Sequence, residues 1–158
     1  MLKPVNSCAK LMAVICLVAF ANTSLAASET EFDLSAYEGR VVILDFWASW
    51  CVPCLRSFPW LNSMHDKYSN EGLVIIAVNL DNDRAAAKQF LVEHPPKFII
   101  YYDEEKQLAR EYDVQAMPSS YLIGRDGTIQ SHHVGFKVKR QDEYEAAIVE
   151  ALQAPGVD

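Results

Sequence analysis

The chain has 158 residues, of which 51% are hydrophobic and 22% charged, and its formal net charge is −7 at pH 7. These proportions exclude a disordered polymer, a collagen and a polybasic nucleic-acid-binding arm. The length allows one domain with an ordinary hydrophobic core, and the acidic charge argues against nucleic acid and anionic membranes as partners.

The first 26 residues have the three-part pattern of a secretory signal peptide. Lys3 and Lys10 make a basic start, residues 11–21 are continuously apolar, and small residues precede a predicted cut before Ala27. The apolar run is shorter than the ~20 residues that a membrane-spanning helix requires, and an uncleaved anchor is the alternative. We therefore predict a signal peptide at 1–26, a single domain at 27–158 and a periplasmic location.

Predicted strands and helices alternate along the rest of the chain. Apolar runs rich in β-branched residues indicate strands, and apolar residues at helical spacing indicate helices. The predicted strands lie at 41–46, 73–78, 98–102, 120–123 and 128–134, and the predicted helices at 54–68, 83–94, 107–112 and 142–152. Because strands that alternate with helices pair in parallel, we predict an α/β fold. Its central mixed β-sheet has an antiparallel hairpin at the edge and helices on both faces.

Cys51 and Cys54 are the only cysteines outside the predicted leader, which contains Cys8 and Cys16. A disulfide between Cys51 and Cys54 would close a loop with only two residues between the cysteines, which hardly constrains the unfolded chain. This argues against a structural disulfide and leaves a redox-active pair or a metal site. Zinc usually needs four ligands, whereas Cu(I) binds a lone cysteine pair. We favour redox chemistry with no metal and no other cofactor, and copper binding is the alternative.

The cysteine pair directly follows a predicted buried strand and opens a predicted helix. A helix N-terminus presents unpaired N–H groups and a partial positive charge, which favour a thiolate over a thiol. Cys51 is therefore predicted to be the exposed nucleophile. Cys54 lies one helical turn further on and is predicted to resolve the mixed disulfide. Pro53 fits the first turn, where no N–H is needed.

Asp45 is the only charged residue in the first predicted strand, six positions before Cys51. Burial raises the pKa of a carboxyl, and a buried acid near the cysteine pair would accept the proton of Cys54. The alternative is an ordinary carboxylate at a solvated strand end. We favour the catalytic interpretation, because buried carboxylates are rare without a partner or a task.

The stretch from Asp45 to Cys54, DFWASWCVPC, resembles the active-site segment of the thioredoxin superfamily. Pro59 matches the proline within the family's first long helix, and Met117-Pro118 matches its cis-proline loop. The leader, the Val-Pro dipeptide between the cysteines and the Gly-Arg-Asp-Gly hairpin are similar to the exported TlpA/ResA-like thiol–disulfide oxidoreductases.

The resemblance implies roles for further residues. Pro118 is expected in the cis form, and the backbone of Met117 is expected to pair with an incoming peptide as a short added strand. Trp50 and Met117 would form an apolar platform for the substrate. Two departures from the exported relatives concern the proton acceptor. Many of these relatives carry Asn at the position of Asp45, and several carry a buried Glu near the position of Asn82. We therefore expect the proton-accepting role to have moved to Asp45 in this chain.

The resemblance also implies a function. Cys51 and Cys54 would form a redox-active disulfide that reduces oxidised substrate proteins in the periplasm, with a membrane thiol-electron donor as partner and a monomeric state. Apocytochrome c heme-site cysteines and copper-delivery proteins are the expected substrates. A disulfide oxidase or isomerase is the first alternative, and a copper-binding chaperone module is the second.

Overall fold

The structure, a computed structural model, describes residues 32–156, so the predicted signal peptide lies outside the described residues. Within this part of the chain, no helix has the length and apolar character needed to cross a membrane. The strands are β1 Val41–Trp47, β2 Leu73–Asn79, β3 Ile99–Tyr102, β4 Ser119–Ile123 and β5 Ile129–Val134. The α-helices are α1 Val52–Tyr68, α2 Arg84–Glu93, α3 Gln107–Glu111 and α4 Gln141–Gln153.

The five strands form one sheet in the order β3-β2-β1-β4-β5. β1, β2 and β3 pair in parallel, whereas β4 is antiparallel to β1 and β5 is antiparallel to β4. The predicted mixed sheet with an antiparallel hairpin at its edge is therefore confirmed. β1 lies at the centre, which explains why all seven of its residues are buried.

The two faces of the sheet carry separate apolar clusters because successive strand residues point to opposite sides. Val41, Ile43 and Trp47 of β1 belong to one cluster, which also contains buried residues of α1, α2 and α4; we call this side the α1 face. The alternate residues of β1 belong to the other cluster, together with Leu108 of α3. Helices therefore cover both faces, as predicted.

One difference from the prediction lies before β1. A 3-10 helix at Leu34–Tyr37 was not expected, and Asp33 caps it by accepting a hydrogen bond from the Ser35 backbone N–H at 2.8 Å. Leu34 and Tyr37 pack on the α3 side of the sheet. An aspartate two residues before a serine also occurs in many plain turns, which is why the pattern did not predict a helix.

The functional region lies at the edge of the sheet where β1 and β2 end. Both strands run in the same direction, so the loops that follow them are neighbours. The Leu80 backbone N–H donates a hydrogen bond to the Trp47 carbonyl at 2.8 Å and joins the two loops. The chain then enters α1 directly from the first of these loops.

Candidate active site

Cys51 and Cys54 form a disulfide at the start of α1, with their Cα atoms 5.3 Å apart. Cys51 is the N-cap of the helix, and its sulfur accepts a hydrogen bond from the Cys54 backbone N–H at 3.3 Å. Pro53 lies in the first turn, as predicted. The helix begins at Val52, two residues earlier than expected, because Cys51 itself supplies the cap. An N–H group directed at the Cys51 sulfur stabilises the thiolate after reduction.

The two cysteines differ in exposure. Cys51 retains 5% of its surface and Cys54 none. Cys51 is thus the more accessible partner, but it is less exposed than the sequence pattern predicts, because the disulfide holds its side chain against the first turn of α1. This order matches an attacking Cys51 and a resolving Cys54.

Asp45 is fully buried in the middle of the sheet. Burial raises the pKa of its carboxyl from 3.8 to about 7, and the hydrogen bond from Ser120 opposes part of that rise. The Ser120 hydroxyl donates to Oδ1 of Asp45 across the β1–β4 pair. Oδ2 has no hydrogen-bond partner among the described residues. The interpretation of Asp45 as a solvated strand-end residue is therefore excluded.

Asp45 and the cysteine pair lie on the same side of the sheet. Asp45 falls between Ile43 and Trp47 on β1, and these neighbours share the α1-face cluster with Cys51 and Cys54. A carboxyl with a pKa near 7 is half ionised at neutral pH, so it accepts and releases a proton with equal ease there. The site therefore combines the Cys51 sulfur at the helix N-cap, the buried Cys54 sulfur and the Asp45 carboxyl as a group that can accept a proton.

The loop before Cys51 is held by a second buried carboxylate, Asp81. Ser49 donates to Asp81 from its backbone N–H and from its hydroxyl, each at 2.8 Å. Asn79 adds a bond from its side-chain amide at 2.7 Å. The Asp81 carboxylate therefore fixes the segment that leads into the cysteine pair.

The residues predicted to bind substrate differ in exposure. Trp50 is 69% exposed, whereas Met117 is partly buried against the α1-face cluster. The Met117-Pro118 peptide bond is cis, as the resemblance implied, and Pro118 is buried. The carbonyl of Pro118 accepts a hydrogen bond from the Gly135 N–H at 2.7 Å, which anchors this loop to the segment after β5.

Among residues 32–156, no group of three or more His, Cys, Asp or Glu side chains is placed to hold a metal ion. The two sulfurs are the soft donors at the site, and they are joined to each other. Any metal would therefore need the reduced pair and would have two protein ligands there.

Two supporting residues, Ser120 and Asp81, were missed from the sequence. Ser120 follows Pro118 in a buried strand, where an unexplained hydroxyl signals a polar partner across the ladder. For Asp81 the available signal was an aspartate two residues after a parallel strand.

Residues 17–148 match the family model described as Redoxin. The similar curated proteins include a thiol-disulfide oxidoreductase ResA of Bacillus cereus, which is 33% identical over 113 residues, 72% of this chain and 65% of that protein. ResA of Bacillus subtilis (strain 168) is 31% identical over 97 residues, 61% of this chain and 54% of that protein. The chain thus spans less than two thirds of the length of these relatives.

Solved structures agree with these matches. A crystal structure from Chlorobium tepidum, described as a candidate thiol:disulfide interchange protein DsbE, is 45% identical with a TM-score of 0.74. The match covers 75% of this chain and 84% of that one. StoA from Bacillus subtilis is 26% identical with a TM-score of 0.61, and the match covers 70% of this chain and 83% of that one.

Proposed function

The chain belongs to the redoxin family and is a TlpA/ResA-like member of the thioredoxin superfamily with a thioredoxin-like fold, and on this premise we propose that it is an exported thiol–disulfide oxidoreductase. Its role would be to reduce disulfides in other periplasmic proteins through the Cys51–Cys54 pair. The observation that carries the proposal is the cysteine disulfide at the N-terminus of α1 above the same sheet face as buried Asp45.

The first step is attack by the Cys51 thiolate on a substrate disulfide. A mixed disulfide forms between Cys51 and one substrate sulfur, and the other substrate sulfur leaves as a thiolate. The Cys54 N–H that points at the Cys51 sulfur lowers the pKa of the Cys51 thiol, because it stabilises negative charge on that atom. The helix N-terminus acts in the same direction.

The second step is resolution by Cys54. Its thiol gives a proton to the Asp45 carboxylate, directly or through water, and the resulting thiolate attacks the Cys51 sulfur. The second substrate sulfur leaves as a thiolate, and the domain is left oxidised. Two electrons have then passed to the substrate, and Asp45 carries the proton from Cys54.

The remaining features of the proposal concern partners and location. Exposed Trp50 and partly buried Met117 would contact the substrate as an apolar platform, and the Met117-Pro118 loop would pair with its backbone. An oxidising compartment requires an electron supply, for which a membrane thiol-electron donor is proposed. Apocytochrome c cysteines and copper-delivery proteins are the proposed substrates of the monomer.

The reduction potential of the Cys51–Cys54 pair tests the direction of electron flow. Residues 27–158 would be equilibrated in glutathione or dithiothreitol buffers, with the fluorescence of the adjacent Trp50 as the readout. A value at or below about −220 mV, in the thioredoxin and glutaredoxin range, supports a reductase. A value near about −120 mV contradicts it and makes the protein a disulfide donor.

A trapping experiment tests the assigned roles of the two sulfurs. Cys54→Ser should accumulate mixed disulfides with substrate proteins through Cys51, because the resolving thiolate is gone. Cys51→Ser is the matched control and should trap far fewer, since Cys54 is fully buried. If both variants only lose Cu(I) affinity and trap nothing, the copper-binding alternative replaces the oxidoreductase.

A further inference from the structure

Three residues form a row across the sheet from its centre to its β5 edge. Asp45 lies opposite Ser120 in the β1–β4 pair, and Ser120 lies opposite His133 in the β4–β5 pair. Directly opposite residues of antiparallel strands have Cβ atoms ~4.5–5.5 Å apart on the same face. The row therefore connects the buried carboxyl with a strand at the edge of the sheet.

A cavity of about 250 Å³ covers the outer part of this row. Ser120 and His133 line its sheet side, and Tyr144 lines its α4 side. Arg140 and Glu143 also line it, and both of these side chains are exposed, so the cavity extends from Ser120 to the protein surface. Most of the cavity lining is apolar, but Ser120, His133 and Glu143 contribute polar atoms to it. One water occupies about 30 Å³ of liquid, so the cavity has room for water molecules that form hydrogen bonds with those atoms.

The proposed mechanism leaves a proton on Asp45 in the oxidised protein. Reduction of the pair later releases Cys54 as a thiolate that takes up a proton again, so the full cycle moves no net proton. A carboxyl with a pKa of about 7 nevertheless gains and loses its proton at neutral pH while the pair is oxidised, and this exchange requires a path to solvent. In the oxidised protein, solvent hardly reaches Asp45 past the disulfide, because Cys51 is 5% exposed and Cys54 is fully buried. Ser120 is the hydrogen-bond partner of Asp45, and it is also part of the cavity wall. One hydroxyl thus touches both the proton carrier and the space that leads outside.

We infer that Asp45 returns its proton to solvent through the hydroxyl of Ser120 and the water of the β5–α4 cavity. In the structure the Ser120 hydroxyl donates to Asp45, and this hydrogen bond reverses when Asp45 is protonated on that oxygen. Asp45 then donates its proton to the Ser120 oxygen, while the Ser120 hydroxyl turns toward the cavity and passes its own proton to a water there. The carboxylate and the hydroxyl are then restored, and the water carries the charge outward. The role in turnover rests on the proposed function, whereas the route itself is a property of the oxidised fold.

The groups that face the cavity fit this direction of transfer. His133 stacks on Tyr144 with ring centroids 4.2 Å apart. Burial, and then the nearby His132 and Arg140, lower the pKa of His133 to about 4, so it is neutral at pH 7 and does not repel an emerging proton. Glu143 and Arg140 form an ion pair at the outer end of the cavity, so these two groups place no net charge there.

Hydrogen–deuterium exchange of the Asp45 carboxyl tests the route without any turnover. Oxidised protein at pH 5, where Asp45 is protonated, would be mixed rapidly into D₂O, and the shift of its carboxylic acid infrared band would be followed. Asp45→Asn identifies the band by abolishing it. Ser120→Ala should slow the exchange about tenfold or more, short of the 10²–10⁴-fold typical of a lost proton-transfer group because water takes the place of the hydroxyl.

Three further variants make the test specific. Ser120→Thr keeps the hydroxyl and should exchange at nearly the original rate. Ser131→Ala removes another hydroxyl from the cavity lining and should do the same. Ala147→Phe, which fills the cavity from α4, should slow the exchange even if Ser120→Ala fails to fold.

Unchanged exchange in both Ser120→Ala and Ala147→Phe would overturn the inference and direct the proton past the cysteines instead. The outcome is separable from that of the proposed function. A protein with no reductase activity but with exchange that depends on Ser120 keeps the route and rejects the function. An active reductase in which the exchange rate of the Asp45 proton does not depend on Ser120 keeps the proposed function and rejects the route.

Discussion

Ser49 and Asp81 are joined by two hydrogen bonds of 2.8 Å, one from the serine backbone and one from its hydroxyl, each to a different carboxylate oxygen. This pair links the loop after β1 with the loop after β2 at the edge where both parallel strands end. The cysteine pair begins two residues beyond Ser49. The position of the cysteine pair therefore depends on a carboxylate from the loop that follows the neighbouring strand.

We expect Asp81→Asn to destabilise the protein by about 2 kcal/mol, the size of lost hydrogen bonds to a charged group. The amide group would also set a donor against a donor at Ser49 or Asn79. Urea denaturation measures the change. Asp83→Asn is the matched control, because Asp83 caps α2 and asparagine caps equally well. Equal stability of the two variants would contradict the assigned role of Asp81.

The stability of the oxidised protein should depend on pH through Asp45. Its pKa is about 7 in the folded state, against an ordinary value of 3.8 in the unfolded chain, so the folded protein binds the extra proton between these values. Stability is then full below pH ~4 and falls as the pH rises through 7, by roughly 4 kcal/mol in total at 1.4 kcal/mol per pH unit. Asp45→Asn should remove this fall, whereas exposed Glu105→Gln should not.

His133 should change the pH dependence of stability in the direction opposite to Asp45. Its folded pKa is lowered to about 4 from 6.5, so its contribution is present above pH 6.5 and is lost as the pH falls through 4. The two groups oppose each other between pH 4 and 6.5. We expect denaturation curves of Asp45→Asn to show stability rising with pH in that window, and those of His133→Phe to show a steeper fall. A flat curve in each single variant would contradict both assignments.

Asp45→Asn should slow the resolving step by about 10², the lower range for loss of a general base. For the measurement, the reduced protein would first be converted to a mixed disulfide between Cys51 and a coloured small thiol. The rate at which Cys54 releases that thiol would then be followed. The rate in the unaltered protein should rise through pH 7 as Asp45 ionises, and the variant should lack that inflection. Release at an unchanged rate with the same pH profile would remove Asp45 from the mechanism.

Trp50→Ala should reduce kcat/KM for a protein disulfide but not for a small aromatic disulfide. The side chain is 69% exposed, so stability should change by less than about 0.5 kcal/mol. Val92→Ala, which removes an 81% exposed apolar side chain from α2, is the control and should leave both substrates unaffected. Equal effects of Trp50→Ala on both substrates would argue against a docking role.

Much of the fold was predictable because local patterns agreed with the global arrangement. The apolar run of β1 marked a central strand, and the cysteine pair after it marked a helix start. Burial of Asp45 followed from its place in that run, and the structure bears this out. The cis form of Pro118 followed from family resemblance rather than from any local pattern.

The partners of the buried acids were not predictable in the same way. Ser120 is 75 positions from Asp45, and Asp81 is 32 positions from Ser49. Only the strand register brings each pair together, and a sequence pattern with a period of two does not fix the register between distant strands. The cavity over Ser120 likewise depends on how α4 packs against β5.

The three tryptophans lie at three different depths, and together they form a set of internal optical reporters. Trp47 is fully buried, and its ring centroid lies 4.9 Å from those of Phe58 and Phe90. Trp60 lines the cavity, and Trp50 stands in solvent beside the disulfide. Proteins that keep one tryptophan and carry phenylalanine at the other two positions would report core melting, filling of the cavity and redox state as separate signals.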